Sequence, residues 1–191
     1  VEVKNLKNES VGELELNGLV LADRLAEGLA LLRVLDGAFE GGARHTGGAR
    51  RMEVAGALGL PQVVVPGCVD FLVFGPKSEV PEKFRGRPSY YHNPEFTLVR
   101  VSRDEQLAVA RAMAQKLNAA KGKVTLVVPL RGLSIPNHEK GGEFWAPELD
   151  AAFRAELKGA LSPEISYREV DAHVNDEAFA AVVLQEAQEL F

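Results

Sequence analysis

Residues 97–130, TLVRVSRDEQLAVARAMAQKLNAAKGKVTLVVPL, decide the fold that the sequence predicts. The stretch begins with an apolar, β-branched run over Thr97–Val101 that is typical of a strand. Ser102 and Glu105 then form the S-x-x-E pattern of a capping box, which predicts that a helix begins here. The second apolar run, Val124–Leu130, is rich in valine and predicts a buried strand.

The same alternation of strand and helix continues to the end of the chain. Pro147 is suited to open a helix, Ile165–Val170 predicts the next strand, and a final helix follows. Upstream, QVVV at residues 62–65 predicts another buried strand. Such alternation is typical of a parallel sheet with helices on both faces. We therefore predict an α/β fold, a three-layer Rossmann-like domain with a mostly parallel sheet, over the single domain 1–191.

Polar loops follow three of the predicted strands. They are Asp70–Gly75 after QVVV, Arg131–Ser134 after VTLVVPL, and His173–Asp176 after ISYREV. Ligands of open parallel sheets bind beyond the carboxyl ends of the strands. The chain order therefore predicts that these three loops converge at one site.

A long polar segment rich in glycine and proline, residues 74–100, separates two apolar runs. Irregular segments of this length are uncommon in compact domains unless they bind or catalyse something. We expect an ordered loop packed over the strand ends, with apolar anchors at Phe84, Tyr90, Tyr91 and Phe96.

The candidate site residues come from these loops and from a glycine-rich stretch, GGARHTGGARR, at residues 41–51. That stretch has the spacing of two phosphate-loop glycines but lacks the lysine, so anion binding and a plain flexible turn both stay open. A histidine near neutral pH can transfer a proton, and Arg131 can recognise an anion. His92 can equally be a turn histidine, and Asn175 a helix cap. The catalytic candidates are His92, His173 and Asp70, and the ligand-binding candidates are Gly47, Gly48, Arg50, Gly75, Asn93, Arg131, Ser134 and Asn175.

Composition argues against several classes of function. The net charge of −5 does not suit a general nucleic-acid binder, and no apolar run approaches the ~20 residues that cross a bilayer. The four histidines lack a ligand spacing such as H-x-x-x-H, so we predict no metal site. The single cysteine, Cys68, excludes an intrachain disulfide and favours a reducing, cytoplasmic compartment.

Six segments together resemble the family of the plant protein that gives resistance to tomato mosaic virus, with its uncharacterised bacterial relatives. They are PQVVVPGCVD, FGP, VPEKFRGR, YYHNPEFTLVR, AQKLNAAKGKVTLVVPLRGLS and DAHVNDEAFA, within residues 37–182. The resemblance is to the C-terminal half of a pair of Rossmann-like domains, and residues 1–36 match poorly. It implies ATP as a possible cofactor, a homo-oligomer, and a preceding nucleotide-binding domain that is missing here and would be a partner.

Two functional hypotheses follow. In the first, the chain is a ligand-binding or catalytic domain that recognises a nucleotide or a small phosphorylated or carboxylate ligand at the strand ends. In the second, it is a non-catalytic assembly module that completes a site or an oligomer with a partner domain. The sequence leaves open whether the protein is an enzyme. It predicts that the protein binds neither nucleic acid nor a membrane.

Overall fold

The computed structural model describes residues 2–4, 10–13 and 52–190. Near the start of the chain, strands β1 (Glu2–Lys4) and β2 (Ser10–Glu13) pair antiparallel. The candidate site lies in the longest described range.

A three-stranded parallel sheet forms the centre of the domain. Its strands are β3 (Gln62–Val64), β7 (Val124–Pro129) and β8 (Ser166–Val170), and their order in the sheet is β3–β7–β8. All six residues of β7 are buried, as expected of a central strand covered on both faces. The predicted strands are therefore confirmed to within one or two residues, and β3, β7 and β8 are parallel as expected.

Four described α-helices accompany the sheet. They are α1 (Glu53–Ala57), α2 (Arg103–Asn118), α3 (Pro147–Ala160) and α4 (Glu177–Leu190). Two short 3-10 helices, Lys77–Glu79 and Glu82–Phe84, lie between α1 and α2 along the chain. Within the described ranges, none of these helices is long and apolar enough to cross a membrane.

Successive side chains of β7 face opposite layers. Leu126 and Val128 belong to the main core, which includes Phe153 of α3. Val127, between them, belongs to a second core with Phe179 of α4. Because side chains alternate across a strand, one valine-rich strand buries apolar surface against both helix layers. The three-layer α/β prediction is confirmed.

A second, antiparallel sheet corrects the prediction for residues 74–100. Strands β4 (Phe71–Phe74), β5 (Ser89–Asn93) and β6 (Phe96–Arg100) form it in the order β4–β6–β5. The run that begins at Thr97 is therefore a strand, as expected, but not a member of the parallel sheet. It pairs antiparallel with β4, from Phe71 opposite Arg100 to Phe74 opposite Thr97.

Local chemistry explains why the supposed loop folds as a hairpin. The Asn93 side-chain oxygen accepts hydrogen bonds from the backbone N–H groups of Glu95 and Phe96, both at 2.9 Å, and so closes the β5–β6 turn. Phe84 is 2% exposed and its ring centre lies 5.1 Å from that of Phe74. Phe84 is thus an apolar anchor as expected, whereas Tyr91 is 60% exposed and is not.

The capping box predicted at the start of α2 is present in full. The Ser102 hydroxyl accepts from the Glu105 backbone N–H at 3.3 Å, and the Glu105 carboxylate accepts from the Ser102 backbone N–H at 2.7 Å. The same carboxylate also accepts two hydrogen bonds from the Arg87 guanidinium, at 2.6 and 3.3 Å. Glu105 therefore fixes both the start of α2 and the segment before β5.

We predict that Ser102→Ala lowers the free energy of unfolding by ~1 kcal/mol, because an orphan N–H of the first helical turn loses its acceptor. Urea denaturation measures the change. Ser78→Ala, at an exposed serine, is the control and should stay within about 0.5 kcal/mol of wild type. Equal losses in the two variants would contradict a capping role for Ser102.

Candidate functional site

Three loops meet at the carboxyl ends of the parallel strands, as the chain order predicts, but the bounds predicted for the first loop, Asp70–Gly75, are wrong because Phe71–Phe74 forms strand β4. We call them the strand-end loops: residues 65–70 after β3, 130–137 after β7 and 171–176 after β8. Backbone hydrogen bonds join them, from Cys68 N–H to the Leu133 carbonyl at 2.8 Å and from Val174 N–H to the Gly132 carbonyl at 3.1 Å.

Gly132 allows this close approach. Its φ of +128° lies in a region that residues with side chains rarely adopt. A Cβ atom here would lie 1.8 Å from the Asn137 carbonyl oxygen and 2.7 Å from Cδ2 of His173. Only glycine therefore lets the loop after β7 fold back on itself beside the loop after β8.

Asp70 is the last residue of the strand-end loop after β3 and is fully buried. Its Oδ2 accepts hydrogen bonds from the Ser134 hydroxyl at 2.7 Å and from the Asn137 side-chain amide at 3.0 Å. It also lies 3.0 Å from Nη1 of Arg100. Because the Ser134 proton is directed at Asp70, Ser134 serves here as a buried hydrogen-bond donor.

A second buried carboxylate, Asp150 of α3, extends this cluster. Its Oδ1 accepts from Nη2 of Arg100 at 2.7 Å and from the Gln106 amide at 3.2 Å, and its Oδ2 accepts from the Asn137 amide at 2.8 Å. All members are at most 4% exposed. We call this set the buried polar network; it comprises Asp70, Arg100, Gln106, Ser134, Asn137 and Asp150.

Burial dominates the electrostatics of Asp70. Loss of hydration raises the pKa of its carboxyl above the usual value, while the Arg100 guanidinium and the hydrogen bonds from Ser134 and Asn137 oppose that rise. The short distance to Arg100 alone would suggest an ordinary ion pair. Complete burial outweighs it, because a charged carboxyl without water is strongly disfavoured.

His173 is half-buried beside the network. Its Nε2 lies 3.0 Å from the Ser134 carbonyl oxygen, and its Nδ1 lies 3.1 Å from the Asn175 backbone N–H. A carbonyl can only accept and an N–H can only donate, so the ring carries its proton on Nε2 and is neutral. Both ring nitrogens of His173 therefore have hydrogen-bond partners, and a proton transfer by the ring requires that one of these two hydrogen bonds breaks.

Arg131 is the cation at the surface of the site. It is about half exposed and donates to both oxygens of Asp171, from Nε at 2.7 Å and from Nη2 at 2.9 Å. The Asp171 carboxylate raises the pKa of Arg131, and the Arg131 guanidinium lowers the pKa of Asp171. Glu139 lies further away, at 3.8 Å.

The structure thus brings together Asp70, Ser134 and His173, with Arg131 and Asn175 on the same loops. Three other candidates lie in or directly beside the antiparallel sheet: His92 is exposed on β5, Asn93 closes the hairpin turn, and Gly75, just after β4, accepts a backbone hydrogen bond from Thr97 N–H. No described hydrogen bond or ion pair connects these three to the strand-end loops. The remaining candidates, Gly47, Gly48 and Arg50, lie outside the described residues.

Sequence reasoning missed four members of the buried polar network: Arg100, Gln106, Asn137 and Asp150. The sequence contains one indication of the role of Arg100: it is a charged residue within an otherwise apolar run, which is typical of a buried charge with a partner. Asp150 and Gln106 look like ordinary polar residues in the first turns of their helices. Within the described part of the chain, no group of three or more His, Cys, Asp or Glu side chains is arranged to hold a metal ion.

We predict that Gly132→Ala lowers the free energy of unfolding by about 1–3 kcal/mol more than Gly141→Ala does. Gly141 is the matched control because its φ is also positive, +91°, but no described atom lies within 4 Å of the position that an alanine Cβ would take there. The backbone strain is thus present in both variants, and the steric clash only in the first. Urea denaturation that gave equal losses would show that the tight packing at Gly132 is unimportant.

Comparison with known proteins places the chain in a family. A family profile described as the C-terminal domain of the uncharacterised protein family UPF0261 matches residues 29–191. The chain belongs to this family.

Individual relatives agree with that assignment. A UPF0261 protein of Brucella melitensis is 40% identical over 146 residues, which are 76% of this chain and 34% of the relative. A UPF0261 protein of Clostridium tetani is 38% identical over 134 residues, 70% of this chain and 33% of the relative. The tomato ToMV resistance protein Tm-1(GCR237) is 29% identical over 133 residues, 69% of this chain and 18% of the relative.

The resemblance to the tomato resistance protein is therefore confirmed, at a greater distance than that to the bacterial proteins. The chain spans about a third of the length of these bacterial relatives.

Proposed function

We propose that this UPF0261 domain binds a small anionic ligand, a nucleotide or a small phosphorylated or carboxylate compound, at the strand-end loops. The observation that carries the proposal is the convergence of these loops, with Arg131 at the surface and His173 half-buried beside it. The carboxyl edge of a parallel sheet is where such folds bind ligands.

The state of Arg131 supports an anionic ligand. Its partner Asp171 is 69% exposed, so water and salt weaken the ion pair. The guanidinium already presents two parallel N–H donors to a carboxylate, the geometry that also suits a phosphate. A ligand anion can therefore replace Asp171 at small cost, because the exposed carboxylate regains hydration when it is released.

The buried polar network gives the site a rigid base. Ser134 and Asn137 anchor the loop after β7 to Asp70, and the Ser134 carbonyl anchors His173. A binding site whose side chains are held in place loses less entropy when the ligand arrives. In a catalytic version of this proposal His173 transfers the proton, because it is the half-buried titratable group of the strand-end loops. ATP belongs among the ligands to be tested because the family resemblance implies it.

We expect a nucleotide or a small phosphorylated or carboxylate compound to raise the unfolding temperature, by an amount equivalent to about 2.7 kcal/mol at ~100 times its dissociation constant. Arg131→Gln should abolish the shift because the cation is lost. Arg111→Gln is the matched control: Arg111 is also exposed and ion-paired, to Glu156 at 2.8 Å, but on the α2–α3 surface.

Thermal unfolding with a panel of such compounds makes this measurement. A shift that survives in Arg131→Gln, or that is lost equally in Arg111→Gln, would contradict binding at the strand-end loops.

A second proposal is that the domain is an assembly module that forms an oligomer or completes a site with a partner domain. One specific observation favours it. Among the described strands, β5 is at the edge of the antiparallel sheet, and it carries Tyr91, a large side chain that is 60% exposed. Edge strands with exposed aromatic side chains are suited to pairing with another chain.

If this second proposal holds, sedimentation velocity will show self-association that Tyr91→Lys reduces at least tenfold, because a charge on an edge strand opposes pairing. Ile135→Lys is the control, since Ile135 is 54% exposed but lies in a strand-end loop. If the protein is a monomer at every concentration measured, the proposal that the domain forms an oligomer is wrong.

A further inference from the structure

We propose that Asp70 is a neutral carboxylic acid in the folded protein, with its proton on Oδ1, and that Asp150 carries the negative charge that pairs with Arg100. The buried polar network is then a proton-holding device beneath the strand-end loops. Its protonation changes with pH although Asp70 is shielded from solvent in the folded structure, because local opening lets the proton exchange with water.

The two carboxyl groups have different hydrogen-bond environments. Both oxygens of Asp150 face donors: Oδ1 accepts from Arg100 and Gln106, and Oδ2 accepts from Asn137. A proton on either oxygen would oppose one of these donors. The geometry is that of an ionised carboxylate, which can only accept.

The two carboxyl oxygens of Asp70 differ in their hydrogen bonds. Oδ2 accepts hydrogen bonds from Ser134 and Asn137, and it lies 3.0 Å from Nη1 of Arg100, which donates to the Asp70 backbone carbonyl. Oδ1 is buried and has no hydrogen-bond partner among the described residues. One oxygen that accepts and one that is free to carry a proton is the pattern of a carboxylic acid.

The balance of donors and acceptors points the same way. Three buried oxygens of the network lack a described donor: Asp70 Oδ1, Gln106 Oε1 and Asn137 Oδ1. Only one nitrogen of the network, Arg100 Nε, lacks a described acceptor. A proton on Asp70 adds a donor to a cluster that has a surplus of acceptors.

The charge count supports the assignment. Among the groups that face Asp70, Arg100 is the cation and Asp150 the other anion, while Ser134 and Asn137 are neutral. His173, which contacts the Ser134 carbonyl, is also neutral in its observed hydrogen bonds. With Asp70 ionised the network would bury a net negative charge, because one guanidinium would face two carboxylates, which is unfavourable. With Asp70 protonated its net charge is zero.

The direction of the pH dependence follows. Burial raises the pKa of Asp70 in the folded state above that of the unfolded chain. The folded protein then binds the extra proton, and stability is fully present below the unfolded pKa and falls as pH rises through the folded pKa. Above that pH a charge appears where Ser134 and Asn137 attach, and the loop after β7 is held less firmly.

Two amide variants test the assignment. Asp70→Asn places an N–H₂ group where the proposal has an O–H, so the urea midpoint should fall only slightly at neutral pH. Asp150→Asn places an N–H₂ group against existing donors and leaves Arg100 without its anion, so its midpoint should fall much further. Equal losses, or a larger loss for Asp70→Asn, would overturn the proposal.

Urea denaturation of wild type and Asp70→Asn at a series of pH values is an independent test, because the proposal fixes the direction in which the two midpoints diverge. As pH rises from the ordinary range of aspartate toward neutral and above, the wild-type midpoint should fall relative to that of Asp70→Asn. A difference that is constant, or that grows in favour of wild type, would show that Asp70 is ionised. If neither variant folds, infrared spectroscopy of wild type at neutral pH decides: the C=O stretch of a protonated carboxyl is expected, and its absence overturns the proposal.

Discussion

Arg100 between two buried carboxyl groups is the interaction on which the rest of the described structure depends. It is the last residue of β6 and reaches Asp70, which precedes β4, and Asp150 on α3. One side chain therefore connects the antiparallel sheet with a helix that covers the parallel sheet. Breaking a buried pair of this kind by removing one partner commonly costs about 3–5 kcal/mol, because a charge is left without compensation. The strand-end loops are then secured to the same network through Ser134 and Asn137.

The parallel sheet could be predicted because short stretches of neighbouring residues indicate each of its strands and helices. Five of the six residues of Val124–Pro129 are apolar, and Pro147 and the Ser102 capping box mark the starts of helices. The antiparallel sheet could not, because β4 and β6 pair across more than twenty intervening residues and neither run identifies its partner. The alternation of strands and helices then assigned β6 to the wrong sheet.

Some residues of the candidate site could likewise be predicted from the sequence, and others could not. Asp70, Ser134 and His173 could be predicted to meet, since the carboxyl ends of parallel strands share one edge. The partners of Asp70 could not: Arg100 and Asp150 lie 30 and 80 residues away from it along the chain and join it only through tertiary packing. The sequence His92-Asn93-Pro94 predicts a turn with projecting side chains, and in the structure Asn93 closes a hairpin turn there. The turn contacts belong to Asn93, and the role proposed for His92 stays a prediction.

Glu105 has a consequence for the dynamics of the chain. One carboxylate secures the first turn of α2 through Ser102 and also holds the Arg87 guanidinium. The start of the helix and the segment before β5 cannot open separately without loss of a shared acceptor. Backbone amides of the two regions should therefore exchange with deuterium as one cooperative unit, at a common rate that reports this single local unfolding event.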